Sequence, residues 1–273
     1  MPAFDPAALR RTVLRMAYSG QTVHIGCAFS IIELVAVLYR SHMRLGSGPD
    51  DPTRDYLVLS KGHGVMAQYA ALHELGWLTD QDIDGYFRDG TRLKGLSDAH
   101  VPGLEVSSGS LGHGLSVGVG LALAAHRRGT NQQVYAIVGD GEANEGSIWE
   151  AILFAAQFRL SNLTVIIDAN GFQAMGTTRE VMDLGRIADK LASFGLVIEE
   201  VDGHDEAALG AALTRLRAHP SDAPRGLVAH TVKGHGVSFT AGDNRWHYTR
   251  LTADTFARGM AELSAPAGGP THA

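Results

Sequence analysis

Residues 134–158 read VYAIVGDGEANEGSIWEAILFAAQF, and residues 162–173 read NLTVIIDANGFQ. Val134 to Val138 is a short apolar run without polar alternation, which predicts a strand buried on both faces. Leu163 to Ile167 is a second run of the same kind. Between them Ile148, Ile152 and Ala156 recur at helical spacing, with Asn144 as N-cap and Glu145 in the first turn. The pattern is a strand–helix–strand unit, whose crossover should be right-handed and its strands parallel. Asp140 and Asn170 then fall just beyond the carboxyl ends of parallel strands, where open α/β sheets bind ligands. A carboxylate and an amide oxygen brought together there suit Mg²⁺ or Ca²⁺, with positions left for a phosphate-bearing ligand. Taken one at a time, Gly139-Asp140-Gly141 and Asn170-Gly171 also read as ordinary turns.

The rest of the chain fits an α/β frame. Its 273 residues, 45% hydrophobic and 19% charged, are enough to bury a large core. The net charge of −6, with no Lys/Arg run, argues against a general nucleic-acid binder. A single cysteine, Cys27, excludes an intrachain disulfide and points to a reducing compartment, hence a cytoplasmic location. No charged-then-apolar leader opens the sequence, and stretches such as Gly114 to Ala125 are too short to span a bilayer.

Helices are predicted over Ala7–Tyr18, Ile31–Tyr39, Val65–Leu75, Thr79–Tyr86, Leu115–His126, Ile187–Phe194, Asp205–Arg217 and Ala253–Leu263. Strands are predicted over Tyr56–Leu59, Leu196–Glu200 and Leu227–Thr231. The stretches 89–114, 171–185 and 233–247 read as long loops, of the kind reserved for binding. The fold class is therefore α/β: a single doubly wound domain over residues 1–264, with a mostly parallel sheet flanked by helices. Residues 265–273 read as a frayed tail.

Gly139-Asp140-Gly141, with Asn170 thirty residues after Asp140, resembles the metal-binding motif of thiamine-diphosphate enzymes. Further segments make the chain similar to the transketolase family from end to end. His24-Ile25-Gly26 resembles that family's early His-x-Gly, and Ser60-Lys61-Gly62-His63-Gly64 its Ser-Lys-Gly-His. Residues 101–114, VPGLEVSSGSLGHG, resemble its cofactor loop, and Lys233–Phe239 with Trp246-His247 its closing segment. The resemblance implies Mg²⁺ (or Ca²⁺) on Asp140, Asn170 and the Phe172 carbonyl, with Gly139 and Gly141 flanking, anchoring thiamine diphosphate. It implies His63 beside the diphosphate and thiazolium, and the backbone of Gly109 and Leu111 against the aminopyrimidine. It further implies His24 on substrate hydroxyls, His247 facing the substrate channel, and Glu145 at a subunit interface near the cofactor.

The residues also carry bland readings. Glu145 is a first-turn carboxylate favoured by the helix dipole, and His24 a polar residue before a helix. Ser60–Gly64 is a glycine-rich turn whose N–H groups and imidazole would also suit an anion. Residues 107–114 lack the spacing of a dinucleotide fingerprint. Two departures stand out. Tyr248 follows His247 where the family usually has glycine. Gly95-Leu96-Ser97 replaces a Gly-His-Pro whose histidine binds donor hydroxyls, and an unpartnered buried hydroxyl costs about 1–3 kcal/mol. His100 is the nearest imidazole in sequence.

The resemblance covers the diphosphate-binding part of a transketolase only. It implies a split enzyme: a second subunit with the pyrimidine-binding and C-terminal domains, assembled as α2β2, supplies the glutamate that activates the cofactor. The implied reaction moves a two-carbon ketol unit from a ketose or related 2-oxo donor to an aldehyde, with His24, His63 and His247 positioning hydroxyls and moving protons. Two alternatives stay open: a 2-oxo acid decarboxylating, acyloin-forming or deoxyxylulose-phosphate-synthase-like enzyme, and a non-catalytic cofactor-binding subunit.

Overall fold

Val134, Ala136 and Val138 pack into one apolar layer while Tyr135 and Ile137 pack into another. The central strand is thus buried on both sides, as its unbroken apolar run predicts. A computed structural model describes residues 2–265 and places that strand, β2 (Val134–Gly139), second in a five-stranded sheet. The other members are β1 (Tyr56–Leu59), β3 (Leu163–Ala169), β6 (Val197–Asp202) and β7 (Arg225–His230), in the order β1-β2-β3-β7-β6. All four pairings are parallel, with Val134 opposite Leu163 and Gly139 opposite Asp168.

Helices cover both faces. On one lie α6 (His113–Arg128), α7 (Gly146–Gln157) and α9 (Ile187–Ser193); on the other lie α1 (Pro6–Ser19), α3 (Ile32–Val37), α4 (Val65–Glu74) and α10 (Glu206–Ala218). The short α2 (Ile25–Phe29) and α5 (Asp80–Asp84) adjoin the second layer, and α11 (Ala253–Glu262) packs on α1. Local chemistry sets several boundaries. Asp5 accepts from Ala8 N at 2.8 Å with Pro6 opening α1, and Thr79 and Asp82 form a reciprocal capping box on α5.

The structure corrects several expectations. Asn144 does not cap α7: it ends a 3₁₀ turn, Glu142–Asn144, and Glu145 takes the cap position without a side-chain bond. The helix expected over 31–39 is α3 followed by a π-turn, Leu38–His42, and α2 precedes it. The loop expected over 171–185 contains an antiparallel hairpin, β4 (Phe172–Gln173) with β5 (Gly176–Thr177), and one turn of helix, α8 (Thr178–Val181). Such two-residue strands carry too little periodicity to read from sequence. Of the expected tail, residues 266–273 lie outside the described residues.

One buried ion pair links the helical layer to the sheet. Glu33 on α3 lies 2.6 Å from Arg10 on α1 and 3.0 Å from His204 Nδ1 after β6. Burial by itself would raise the Glu33 pKa, but the bonds from His204 and Arg10 and the Arg10 charge hold it down at about 2. A folded-state value below the unfolded one of 4.5 gives stability that is present above about pH 4.5 and lost as the pH falls toward 2. Between pH 7 and pH 3 this group should account for about 2 kcal/mol of lost unfolding free energy. Urea unfolding of wild type and Glu33→Gln at both pH values reads that difference. Equal losses in the two proteins would remove Glu33 from the acid response.

Candidate active site

The carboxyl edge of the sheet carries four loops, after β1, β2, β3 and β7, and a cleft of about 320 Å³ opens among them. His24, His63, Gly109, Leu111, Gly139, Asp140, Gly141, Asn170, Phe172 and His247 all line it. These are the residues singled out from the sequence, with one exception. Glu145 is exposed and outside the cleft, just past the turn at Gly112. His100, also outside, is turned to Asp98, 2.7 Å away, with a side chain 93% exposed. Leu96 itself lines the cleft, and His100 does not, among the described residues.

The loops are held by polar groups that the sequence reading did not assign. Glu142, buried, accepts from Ser60 Oγ at 2.6 Å, Gly112 N at 2.9 Å and Gly139 N at 3.1 Å, so one carboxylate joins three loops. Burial raises its pKa, against those hydrogen bonds. Ser108 Oγ donates to Leu59 O at 2.6 Å, and a Cβ on Gly62 would come within 2.6 Å of Ser108 O. Only glycine lets these two strands of backbone approach so closely. Gly109, at φ 147°, lies against Leu96, where a Cβ would come within 2.6 Å of Cδ1.

Beneath the cleft floor Asp168, fully buried, takes Lys61 Nζ at 2.5 Å, Ser30 Oγ at 2.9 Å and Asn170 Nδ2 at 2.6 Å. Burial opposes ionisation of Asp168, but the Lys61 charge and these bonds outweigh it and lower its pKa. Because Asn170 gives its N–H₂ to this carboxylate, its Oδ1 is the free end, and it accepts only from Phe172 N at 3.1 Å. Asp140 accepts from Gly141 N at 2.8 Å and Gly171 N at 2.6 Å. Burial, then the neighbouring Asp168 charge, raise its pKa to about 7. A signal for Asp168 was available: a lone charged residue inside an apolar strand.

Three imidazoles form a triangle over this floor. Ring centroids are 5.0 Å apart for His24 and His247, 5.5 Å for His24 and His63, and 5.6 Å for His63 and His247. Burial lowers all three pKa values. Lys61 depresses His63 further, and Lys233 depresses both His24 and His247, the latter to about 3. The rings are therefore neutral at pH 7. Lys233 Nζ lies 2.9 Å from His247 Nδ1 and donates to it, so the His247 proton sits on Nε2. His24 has left-handed backbone, φ 72°, and its N–H donates to His247 O at 3.1 Å, which ties two of the rings together.

The donor set passes a test of fit. Asp140, Asn170 and the Phe172 carbonyl offer hard oxygen ligands, the type that Mg²⁺ and Ca²⁺ select. Burial and the Asp168 charge disfavour the ionised form of Asp140, and a cation there would offset both. A parallel sheet with loops from four strands converging on hard oxygen donors and neutral imidazoles is the site of a cofactor-dependent α/β enzyme. Residues 7–264 match the family described as transketolase, thiamine diphosphate binding domain, and the chain belongs to that family of ketol-transferring enzymes. It is 38% identical over 256 residues to one subunit of the apulose-4-phosphate transketolase of Phocaeicola vulgatus, covering 93% of this chain and 91% of that one. It is 38% identical over 242 residues to 6-deoxy-6-sulfo-D-fructose transketolase subunit SqwG of Clostridium sp., covering 88% of each. The transketolase of Leishmania mexicana superposes with a TM-score of 0.84 at 30% identity, over 95% of this chain but only 41% of that one. The chain thus spans nearly all of the two transketolase subunits it resembles and about two-fifths of that longer enzyme.

Proposed function

We propose that this protein is the diphosphate-binding subunit of a two-chain transketolase. It would act with a second subunit to move a two-carbon ketol unit from a ketose or related 2-oxo donor to an aldehyde. The observation that carries the reading is the convergence of Asp140, Asn170, Phe172 and three neutral histidines in one cleft. Residues 1–264 are read as one domain, since a single sheet runs from Tyr56 to His230 and α11 returns to α1.

Asp140, Asn170 Oδ1 and the Phe172 carbonyl would hold Mg²⁺, and Asp168, by taking the Asn170 N–H₂, leaves the amide oxygen available as a ligand. When bound, thiamine diphosphate supplies an electron sink for a carbanion beside a former carbonyl. His63 and the N–H groups of its turn would bind the diphosphate. His247, donating through Nε2, and His24 orient substrate hydroxyls and relay protons, which suits neutral rings near pH 7. The backbone at Gly109 and Leu111, both lining the cleft, would hold the aminopyrimidine. Glu145, exposed beyond the Gly112 turn, faces the partner rather than the substrate.

The outer face of α6 and α7 supports such a partner: Val117, Leu153, Phe154 and Phe158 are all exposed there. We read the partner as the chain carrying the pyrimidine-binding and C-terminal domains, in an α2β2 assembly. Among the described residues no helix is long and apolar enough to cross a membrane. The lone buried Cys27 fits a reducing compartment, and we place the protein in the cytoplasm. The isolated chain should show no ketol transfer from hydroxypyruvate or xylulose 5-phosphate, and the reconstituted pair should. Turnover by the chain alone would overturn the two-subunit reading. Faster turnover of pyruvate than of either ketol donor would favour the decarboxylating alternative, for which Leu96 speaks.

A further inference from the structure

A second cavity, of about 420 Å³, opens beside the cleft and shares His24 and Leu96 with it. Its wall is apolar, made by Val23, Tyr86, Phe87 and Leu96. Phe87 holds φ 59°, a backbone region that a bulky L residue rarely adopts, and its N–H donates to Leu93 O at 3.0 Å. Phe87 is nonetheless 54% exposed, and its ring lies over Gly95, where a Cβ would come within 2.9 Å of Cε2. Packing does not require a strained backbone that leaves a large aromatic half in solvent; strain of this kind collects at binding surfaces.

Two cations stand at the rim. Lys94 Nζ donates to Thr91 O at 2.9 Å, and Arg250 Nε donates to Gln21 O at 2.7 Å. Neither has an anionic partner among the described residues, and no carboxylate lines the cavity. Leu96 and Phe87 offer nothing to a polyol, because each hydroxyl placed against them would lose its water without a replacement bond. The same cavity, by contrast, is lined by two exposed cationic side chains, Lys94 and Arg250, which favour an anion.

Resting on the transketolase reading, we infer that this cavity takes the part of the acceptor aldehyde beyond its carbonyl. That part is a short apolar carbon chain ending in an anionic group, which Lys94 and Arg250 bind. The usual hydroxylated sugar phosphate shares the anion but not the chain. The cavity therefore sets specificity at the junction of the two walls, His24 and Leu96.

The test uses the reconstituted two-subunit enzyme with hydroxypyruvate as donor and three acceptors: succinic semialdehyde, butanal and glyceraldehyde 3-phosphate. Succinic semialdehyde should have the highest kcat/KM. In the Lys94→Ala/Arg250→Ala double variant its KM should rise about tenfold, the usual loss for a charged hydrogen bond, while butanal is unaffected. Leu96→His should shift preference toward glyceraldehyde 3-phosphate. Preference for glyceraldehyde 3-phosphate in the wild type, or an unchanged KM in the double variant, overturns this inference and leaves the transketolase reading standing. No turnover with any acceptor overturns both.

Discussion

Asp140→Asn is expected to lower the affinity for Mg²⁺, measured by calorimetry with thiamine diphosphate present, by about a hundredfold or more. Loss of an outer-shell partner alone costs roughly 10- to 100-fold at metal sites, and Asp140 is the one anionic ligand of the proposed set. The same change should raise the stability of the metal-free protein. With its folded pKa near 7 and an ordinary value of 3.8, the Asp140 carboxylate is destabilising once it ionises, through burial first and Asp168 second. The sign follows: ionisation of this group costs folding free energy as the pH rises above 3.8, up to the folded value. At pH 8 without metal, Asp140→Asn should gain at least about 1 kcal/mol in urea unfolding. Tighter folding together with weaker metal binding is a signature that a structural role would not produce. Unchanged Mg²⁺ affinity would remove Asp140 from the metal site.

Asp168→Ala has the opposite signature. The side chain is fully buried and binds Lys61, Ser30 and Asn170, with Thr231 Oγ1 donating to its other oxygen. Truncation leaves the Lys61 ammonium, 1% exposed, with only Cys27 O and Ser30 Oγ as acceptors. Breaking one half of a buried pair typically costs about 3–5 kcal/mol, because the surviving charge stays desolvated. In a chain of this size that should lower Tm by roughly 10 °C. The Lys61→Met/Asp168→Leu double variant removes both charges and should recover part of the loss, which separates an uncompensated charge from a packing defect. A Tm drop of less than about 2 °C for Asp168→Ala would show that the network contributes little. Asn170, released from Asp168, should also lose its amide orientation, so metal affinity should fall in the variant that still folds.

Much of the fold was legible along the chain. The runs 134–138 and 163–167 are apolar at nearly every position, and that is the mark of strands covered on both sides. The boundaries of β1, α4 and α10 lie within a residue or so of their sequence signals, because capping residues, glycines and charge patterns act over single turns. The candidate site was legible for a related reason. Each of its loops follows a strand or opens a helix, so glycine and a polar residue in that place stand out against an apolar background. What escaped were features without local period: the hairpin at Phe172–Thr177, the break of the second helix into α2, α3 and a π-turn, and the cap at Glu145 rather than Asn144.

The sequence by itself determined that a carboxylate and an amide meet at the carboxyl edge of a parallel sheet. It did so because strand period, helix period and glycine placement are properties of neighbours in the chain. Only the tertiary structure decided the protonation and orientation of that site. Asp168 turns the Asn170 amide, Lys233 fixes the His247 tautomer, Glu142 binds the loops together, and Leu96 joins the cleft to an apolar cavity with cationic side chains at its wall. Those outcomes depend on burial and on contacts between residues far apart in sequence, where desolvation sets the energy of each charge, and no linear pattern encodes that.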